Sequence, residues 1–277
     1  MARQTALITG TSSGIGRAAA ELLAAKDYRV LATLRTPEKG RDLGEAAKAN
    51  NWDLTCLPLD VRDDASVHSA LAEAGDVDIL VNNAGFEVWG PLEEMTVEDL
   101  KDQFETNVYG PFRLITAVLP GMRTRGHGVI VNVSSVAGRV GAPLNGLYAA
   151  SKFALEALTE TLSLEAGHFG VRAHLIEPGF IETAFSGNRR LVGAAAGNES
   201  PYAPLVEQWE GVAARLTGPA GRSQPSLVAE IILEAIEKGD KLRYPAGPDA
   251  HMVLMARRQM DDETFIATMR KQLGITW

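Results

Sequence analysis

The sequence predicts an α/β fold: a doubly wound parallel sheet in a single domain. Three observations carry this expectation. Short runs that are apolar at successive positions recur along the 277 residues, and continuous apolarity marks strands buried on both faces. Longer stretches with helical periodicity separate those runs, and strand–helix alternation with right-handed crossovers winds a sheet of this kind. A glycine-rich segment stands where the first run gives way to the first helical stretch.

The elements follow in order. Residues 5–9, 29–34, 54–59, 79–82, 129–133 and 172–177 are expected as strands, being brief and rich in Val, Ile, Leu or Thr. Helices are expected at 15–26, 37–50, 63–74, 97–125 (with Pro120 near its end) and 148–169. After Pro178 the pattern changes. Residues 179–221 are rich in Gly, Ala, Pro and Asn, with one amphipathic piece around 205–216. So long an irregular stretch in a compact domain is usually a lid or binding loop, and this one is expected to cover a substrate site. A helix at 226–238 and a short strand near 242–245 follow. With no repeat, low-complexity tract or Gly/Ser linker, residues 1–277 read as one domain.

Composition narrows the function classes. With 45% hydrophobic and 22% charged residues the chain has ample material for one core. A net charge of −8 argues against nucleic acid as a partner, since phosphate backbone needs a basic face. No apolar run reaches the roughly 18 residues of a membrane span. The start of the chain passes into a strand-like segment without a secretory apolar region. Cys56 is the one cysteine, so no intrachain disulfide forms, and the five histidines show no zinc-ligand spacing. A cytoplasmic protein that binds no metal is expected.

The segment Thr9-Gly10-Thr11-Ser12-Ser13-Gly14-Ile15-Gly16 joins the first expected strand to the first expected helix. Glycines there let a diphosphate approach the backbone, and the helix N-terminus supplies N–H donors and partial positive charge. The spacing is G-x-x-x-G-x-G, which by itself also fits an ordinary tight turn; the strand–turn–helix setting favours dinucleotide binding. A site selective for NAD places an acid about twenty residues on, against the ribose 2′-hydroxyl. Ala32-Thr33-Leu34-Arg35 contains none. A carboxylate would repel a 2′-phosphate, whereas a guanidinium pairs with it. A lone arginine is often merely solvated, so the missing acid is the stronger half of this reading. The expected cofactor is NADP(H), with NAD(H) as the alternative.

Tyr148 and Lys152 are four residues apart in a helical stretch and share one face. A free phenol titrates near 10, so proton exchange near pH 7 calls for a shift of about three units, or about 4 kcal/mol. An ammonium about 5 Å away contributes on the order of 3 kcal/mol at an effective dielectric of about 20. Taken alone, Y-x-x-x-K is common by chance. Its setting changes the weight: Ser134-Ser135 ends the run at 129–133, Asn82-Asn83-Ala84-Gly85 ends the strand before it, and Asn107 interrupts a helical stretch. These polar groups gather at the sheet edge where parallel sheets bind ligands.

On these residues the sequence resembles the short-chain dehydrogenase/reductase family. The resemblance rests on the Thr9–Gly16 turn, Asp60-Val61, Asn82–Gly85, Asn107, Ser135, Tyr148-Ala149-Ala150-Ser151-Lys152, and Pro178-Gly179 followed by Thr183. Residues 29–35, 90–94 and 177–183 are similar to the branch holding hydroxysteroid and retinoid dehydrogenases and their bacterial relatives. It implies a Rossmann fold and a nicotinamide-linked oxidoreductase. Tyr148 would be the general acid or base, Ser135 would hold the substrate oxygen, and Lys152 would bind the nicotinamide ribose and depress the tyrosine. Asn107 would hold a water in a proton relay. Gly10, Ser12, Ser13, Gly14, Ile15 and Gly16 would take the diphosphate, and Arg35 the 2′-phosphate. Asp60 and Val61 would contact adenine, with Asn83, Ala84 and Gly85 along the adenosine ribose. The Ile181 backbone and the Thr183 hydroxyl would hold the carboxamide, with Pro178 and Gly179 also in the cofactor site, although by themselves these two also fit a simple turn. Two departures stand out: Ser13 occupies a place often basic in NADP-preferring members, and the helix before the fourth strand is short, ending at Ala74-Gly75-Asp76.

Phe86, Val88, Trp89, Val140, Leu144, Phe180, Phe185 and the loop after Ala184 are expected to include the walls of an apolar pocket, with no charged pair aimed at a substrate. A lipophilic or aromatic ketone, aldehyde or secondary alcohol is the expected small-molecule substrate. The alternatives are an NAD-linked oxidative alcohol dehydrogenase and a non-catalytic dinucleotide-sensing regulator, the latter disfavoured by the full Ser–Tyr–Lys set. The resemblance also implies a homodimer or homotetramer built on the helices around 97–125 and 148–169; a monomer in gel filtration would overturn that.

Overall fold

A computed structural model describes residues 3–209 and 211–274. Its strands are β1 (Thr5–Thr9), β2 (Arg29–Leu34), β3 (Leu54–Pro58), β4 (Ile79–Asn82), β5 (Val88–Trp89), β6 (Gly128–Val133), β7 (Val171–Pro178), β8 (Arg190–Leu191) and β9 (Arg243–Ala246). Seven of them form one parallel sheet in the order β3-β2-β1-β4-β6-β7-β9, while β5 and β8 make a separate two-stranded parallel ladder. The order reverses at β1, whose neighbours are β2 and β4. Ligands of open parallel sheets bind outside the C-terminal ends of the strands at such a reversal.

The helices are α1 (Gly14–Ala25), α2 (Arg41–Ala49), α3 (Asp64–Ala74), α4 (Val97–Phe104), α5 (Gly110–Arg125), α6 (Gly146–Gly167), α7 (Ala203–Trp209), α8 (Val212–Thr217), α9 (Pro225–Glu237), α10 (Pro248–Gln259) and α11 (Asp262–Leu273). The alternation of side chains along each strand sorts the core into two layers. Ala6 and Ile8 pack with Leu23 of α1, Leu43 of α2 and Ile232 of α9. Leu7 points the other way, among Val67 of α3, Leu114 and Met122 of α5, and Leu162 of α6. Both sheet faces are therefore covered, which is why the strands read as unbroken apolar runs. This is the single-domain, doubly wound sheet the sequence predicts.

Three expectations change. The helix expected at 97–125 is divided by a π-helical turn at Glu105–Tyr109. Pro111 has no N–H to return to the carbonyl four residues back, so the backbone widens just ahead of it. The amphipathic piece around 205–216 forms two short helices, α7 and α8, on either side of position 210, which lies outside the described residues. Finally, α10 and α11 occupy a stretch in which no element is expected from the sequence.

Candidate functional site

The glycine turn is built by hydrogen bonds from both neighbouring strands. Gly10 N and Thr11 N donate to Thr33 O at 3.0 and 3.1 Å. The Asn83 amide donates to Thr9 O at 2.9 Å and Gly10 O at 3.2 Å, while Thr9 Oγ1 accepts from Asn83 N and Ala84 N. Gly10 has φ +73°, and a side chain at Gly16 would overlap both Gly10 O and the Asn83 amide. Only glycine at 16 lets the helix start this close to the turn. Ser13 caps α1 without a side-chain hydrogen bond, so the first-turn N–H groups remain available to an anion. The cradle fits a diphosphate.

Beyond the turn, a cleft of about 720 Å³ runs across the strand ends. Arg35 is exposed at one end of it, with Lys39 nearby from the turn Pro37–Gly40. Asp60 accepts a forked ion pair from Arg62, the closest contact being 2.7 Å. The Arg62 guanidinium holds the Asp60 carboxyl below its usual range, with help from the Arg35 charge. Val61, Asn83, Ala84 and Gly85 line the same stretch of the cleft.

Toward the other end the cleft passes Ser135, Tyr148 and Lys152. Ser135 opens the turn Val136–Gly138, where its Oγ accepts from Ala137 N at 3.1 Å. Lys152 donates from Nζ to Val133 O at 2.8 Å, and that nitrogen sits 5.6 Å from the centre of the Tyr148 ring. Burial outweighs every partner here. It raises the Tyr148 phenol above its ordinary value, with Glu87 adding to the rise and Ser135 and Arg189 opposing it. Burial also lowers Lys152 to about 8, partly countered by Glu156. The expectation that Lys152 depresses the tyrosine is thus not what dominates in the protein alone, because both groups lose water together. Asn107 sits in the π-helical turn with its side chain committed: Oδ1 accepts from Phe86 N at 3.1 Å, and Nδ2 donates to Phe86 O and Ser151 Oγ. Both side-chain N–H groups of Asn107 are spent on these partners.

Past β7 the chain is pinned by a residue the sequence did not reveal. Asp249, buried at the start of α10, accepts from Phe180 N at 2.7 Å. Any side chain at Gly179 would collide with that carboxylate, which explains Pro178-Gly179 beyond a simple turn. Ile181 then pairs with Ser223, and Thr183 Oγ1 accepts from Phe185 N at 3.2 Å while its methyl packs against Gly14.

The family model for short chain dehydrogenase matches residues 4–191. This chain belongs to the short-chain dehydrogenase family. It is 46% identical over 191 residues to retinol dehydrogenase 8 of Homo sapiens, covering 67% of this chain and 61% of that one. A short-chain dehydrogenase from Streptomyces avermitilis matches with a TM-score of 0.78 at 34% identity, covering 99% of this chain and 97% of the other. A gluconate 5-dehydrogenase from Burkholderia cenocepacia, solved with NADP and tartrate, matches with a TM-score of 0.75 at 26% identity over 92% and 96% of the two chains. The short-chain dehydrogenase fold and its glycine cradle point to a nicotinamide dinucleotide as cofactor.

Within this dehydrogenase the pocket walls depart from expectation. Phe86, Trp89, Val140, Phe180 and Phe185 line the cleft, but Val88 and Leu144 are packed inside the protein. Trp209, Leu216, Val253, Met269 and Leu273 join the lining instead. A charged pair is also present. Glu87, 2% exposed, meets Arg189 Nε at 2.5 Å and accepts from the Asn145 amide. An acid in the apolar stretch Phe86–Trp89 was the only hint in the sequence. No helix among the described residues is long and apolar enough to cross a membrane, and no metal-binding cluster occurs among them.

Another acid is buried near the end of β7. Glu177 is fully buried, and neither of its carboxylate oxygens finds a hydrogen bond among the described residues. Arg139 and Arg243 stand 3.7 Å from it, while Arg243 is spent on Glu156 and Glu160. Burial pushes Glu177 up to about 7, with Glu156 adding to the rise. The native state therefore holds this proton more tightly than the unfolded chain, where Glu titrates near 4.3. Its stabilising contribution is complete below about pH 4.3 and is lost as pH rises through about 7. The stability of the wild type relative to Glu177→Gln should fall by on the order of 3 kcal/mol between about pH 4 and about pH 8. Denaturant melts of both proteins at several pH values check this; a constant gap contradicts it.

Proposed function

We propose that this chain is an NADP(H)-dependent oxidoreductase that interconverts lipophilic or aromatic ketones or aldehydes with their alcohols, using Tyr148 as the proton-exchanging group. The observation that carries the reading is the convergence of Ser135, Tyr148 and Lys152 on one cleft that opens beside the glycine turn. When bound, the nicotinamide dinucleotide supplies or accepts the hydride at the substrate carbon. Everything else falls to the protein. The N–H groups of Ser12, Ser13, Gly14, Ile15 and Gly16 hold the diphosphate, while Gly10, whose N–H is spent on Thr33 O, shapes the turn beneath it. Asp60, Val61, Asn83, Ala84 and Gly85 take the adenosine, with Arg35 and Lys39 toward a 2′-phosphate. Pro178, Gly179, Ile181 and Thr183 position the carboxamide.

The raised Tyr148 keeps its proton at neutral pH, as a donor to a carbonyl oxygen must. Ser135 steadies that oxygen, and Lys152, anchored on Val133 O, holds the nicotinamide ribose. Asn107 fixes the Phe86 wall and offers its backbone to a water that refills the proton. Residues 179–221 act as a lid whose aromatic and aliphatic side chains exclude water. Exposed Phe112 of α5, and Phe153 and Leu164 of α6, support a homo-oligomer through these helices.

A panel of aromatic and long-chain carbonyls incubated with NADPH tests the proposal through loss of nicotinamide absorbance. Turnover of apolar members above small polyol or keto-acid substrates is expected. NADPH consumption by none of them, or only by the polar compounds, would contradict it.

A further inference from the structure

The short ladder of β5 and β8 joins two distant parts of the chain beside the proposed proton donor. Arg190 N donates to Glu87 O at 2.9 Å and Val192 N to Trp89 O at 3.0 Å. Glu94 accepts from Ala194 N, and Arg190 reaches Asp99 and Asp102 at 2.7 Å each. These contacts seat residues 189–194 on the wall of the cleft. At the inner end of the ladder, Glu87 is one of the few acids taken almost wholly out of water. It has three neighbours of consequence: Arg189 from the seated segment, the Asn145 amide that precedes α6, and Tyr148, in the first turn of α6 and on the wall of the same cleft.

A carboxylate beside a phenol opposes formation of the phenolate, and a guanidinium beside it favours the phenolate. In the seated arrangement both charges line the cleft with Tyr148, Glu87 opposing its ionisation and Arg189 offsetting part of that effect. Lys152 and Ser135 are the other groups that face it, from α6 and the end of β6. Arg189 also lies 5.3 Å from the centre of the Trp89 ring, so its position depends on the ladder being formed.

We propose that Glu87 and Arg189 are a positioning pair for Tyr148, through which seating of residues 189–194 readies the phenol for proton exchange. With the segment lifted, Glu87 faces Tyr148 without its counter-charge and the phenolate is disfavoured; with it seated, Arg189 neutralises that charge. Closure over substrate and readiness of the proton-exchanging group become one event. The inference rests on the reading of Tyr148 as that group, but its test does not need turnover.

The decisive feature is that the two ends of the pair should move Tyr148 in opposite directions. Glu87→Gln removes the opposing charge and leaves Arg189, so the phenol should titrate lower. Arg189→Gln leaves Glu87 uncompensated, so it should titrate higher. Each shift should be about one pH unit, read by ultraviolet titration of the phenol against the matching Tyr148→Phe background, with and without NADP⁺. Arg189→Lys, which keeps the charge, should stay closer to the wild type than Arg189→Gln does. If Arg189→Gln does not fold, Glu87→Gln still decides the matter, since a phenol that does not titrate lower in that variant would overturn the proposal. Shifts in the same direction, or none, would overturn the proposal. Retained turnover in Tyr148→Phe alongside opposite shifts would instead unseat the functional reading and leave the pairing intact.

Discussion

Replacing Tyr148 with Phe is expected to reduce carbonyl turnover by a thousandfold or more while leaving nicotinamide dinucleotide affinity within about threefold. General acid–base groups contribute roughly 10²–10⁴ in rate, and here no other described group in the cleft matches the phenol as a donor beside Ser135. Lys152 is tied to Val133 O at 2.8 Å, and Glu87 is engaged by Arg189 and Asn145. The substitution removes one oxygen from a ring that packs on Phe185 at 5.7 Å, so the ring contacts survive and stability should change little. Steady-state rates and cofactor titrations on the same preparation separate the two quantities. Turnover retained within tenfold would remove Tyr148 from the chemistry; a parallel loss of cofactor affinity would assign it to binding.

How much of this could be read in the sequence depended on the range over which each signal acts. Strands β1, β2 and β4 fall where the unbroken apolar runs place them, because burial on both faces writes itself into consecutive residues. The glycine turn was legible for the same reason: its constraints, a positive φ at Gly10 and contact at Gly16, lie within a few residues. The helices α10 and α11 were not. α11 buries Phe265 and Leu273 and leaves the rest largely exposed, too narrow a stripe to register as amphipathic. Pairings across long separations were also invisible. Glu87 and Arg189 lie 102 positions apart and Phe180 and Asp249 lie 69 apart, and no local spacing links them. The two-residue strands β5 and β8 carry no periodicity at all. The electrostatics of Tyr148 and Lys152 needed the fold as well, since spacing indicates proximity but not how much water each group loses.

Cofactor choice is the second large effect, and it turns on the end of β2. Leu34 occupies the place where an acid would accept the ribose 2′-hydroxyl, and it is buried. Arg35 follows, exposed at the cleft edge, with Lys39 beyond it. Asp60, the acid nearest in function, is already engaged by Arg62, so little negative charge remains to repel a 2′-phosphate. A guanidinium meeting a phosphate there is expected to contribute about 1.4 kcal/mol, which separates two ligands by about tenfold. Arg35→Ala should therefore weaken NADPH by about tenfold and leave NADH nearly unchanged.

Trp89 and Trp209 line the cleft, so quenching of intrinsic tryptophan fluorescence reports occupancy directly. The most direct measurement is a pair of such titrations of the wild-type protein, one with NADPH and one with NADH. NADPH binding tighter by tenfold or more is the expected result; NADH binding equally well or better would contradict NADP(H) dependence and return Arg35 to the role of a solvated surface residue.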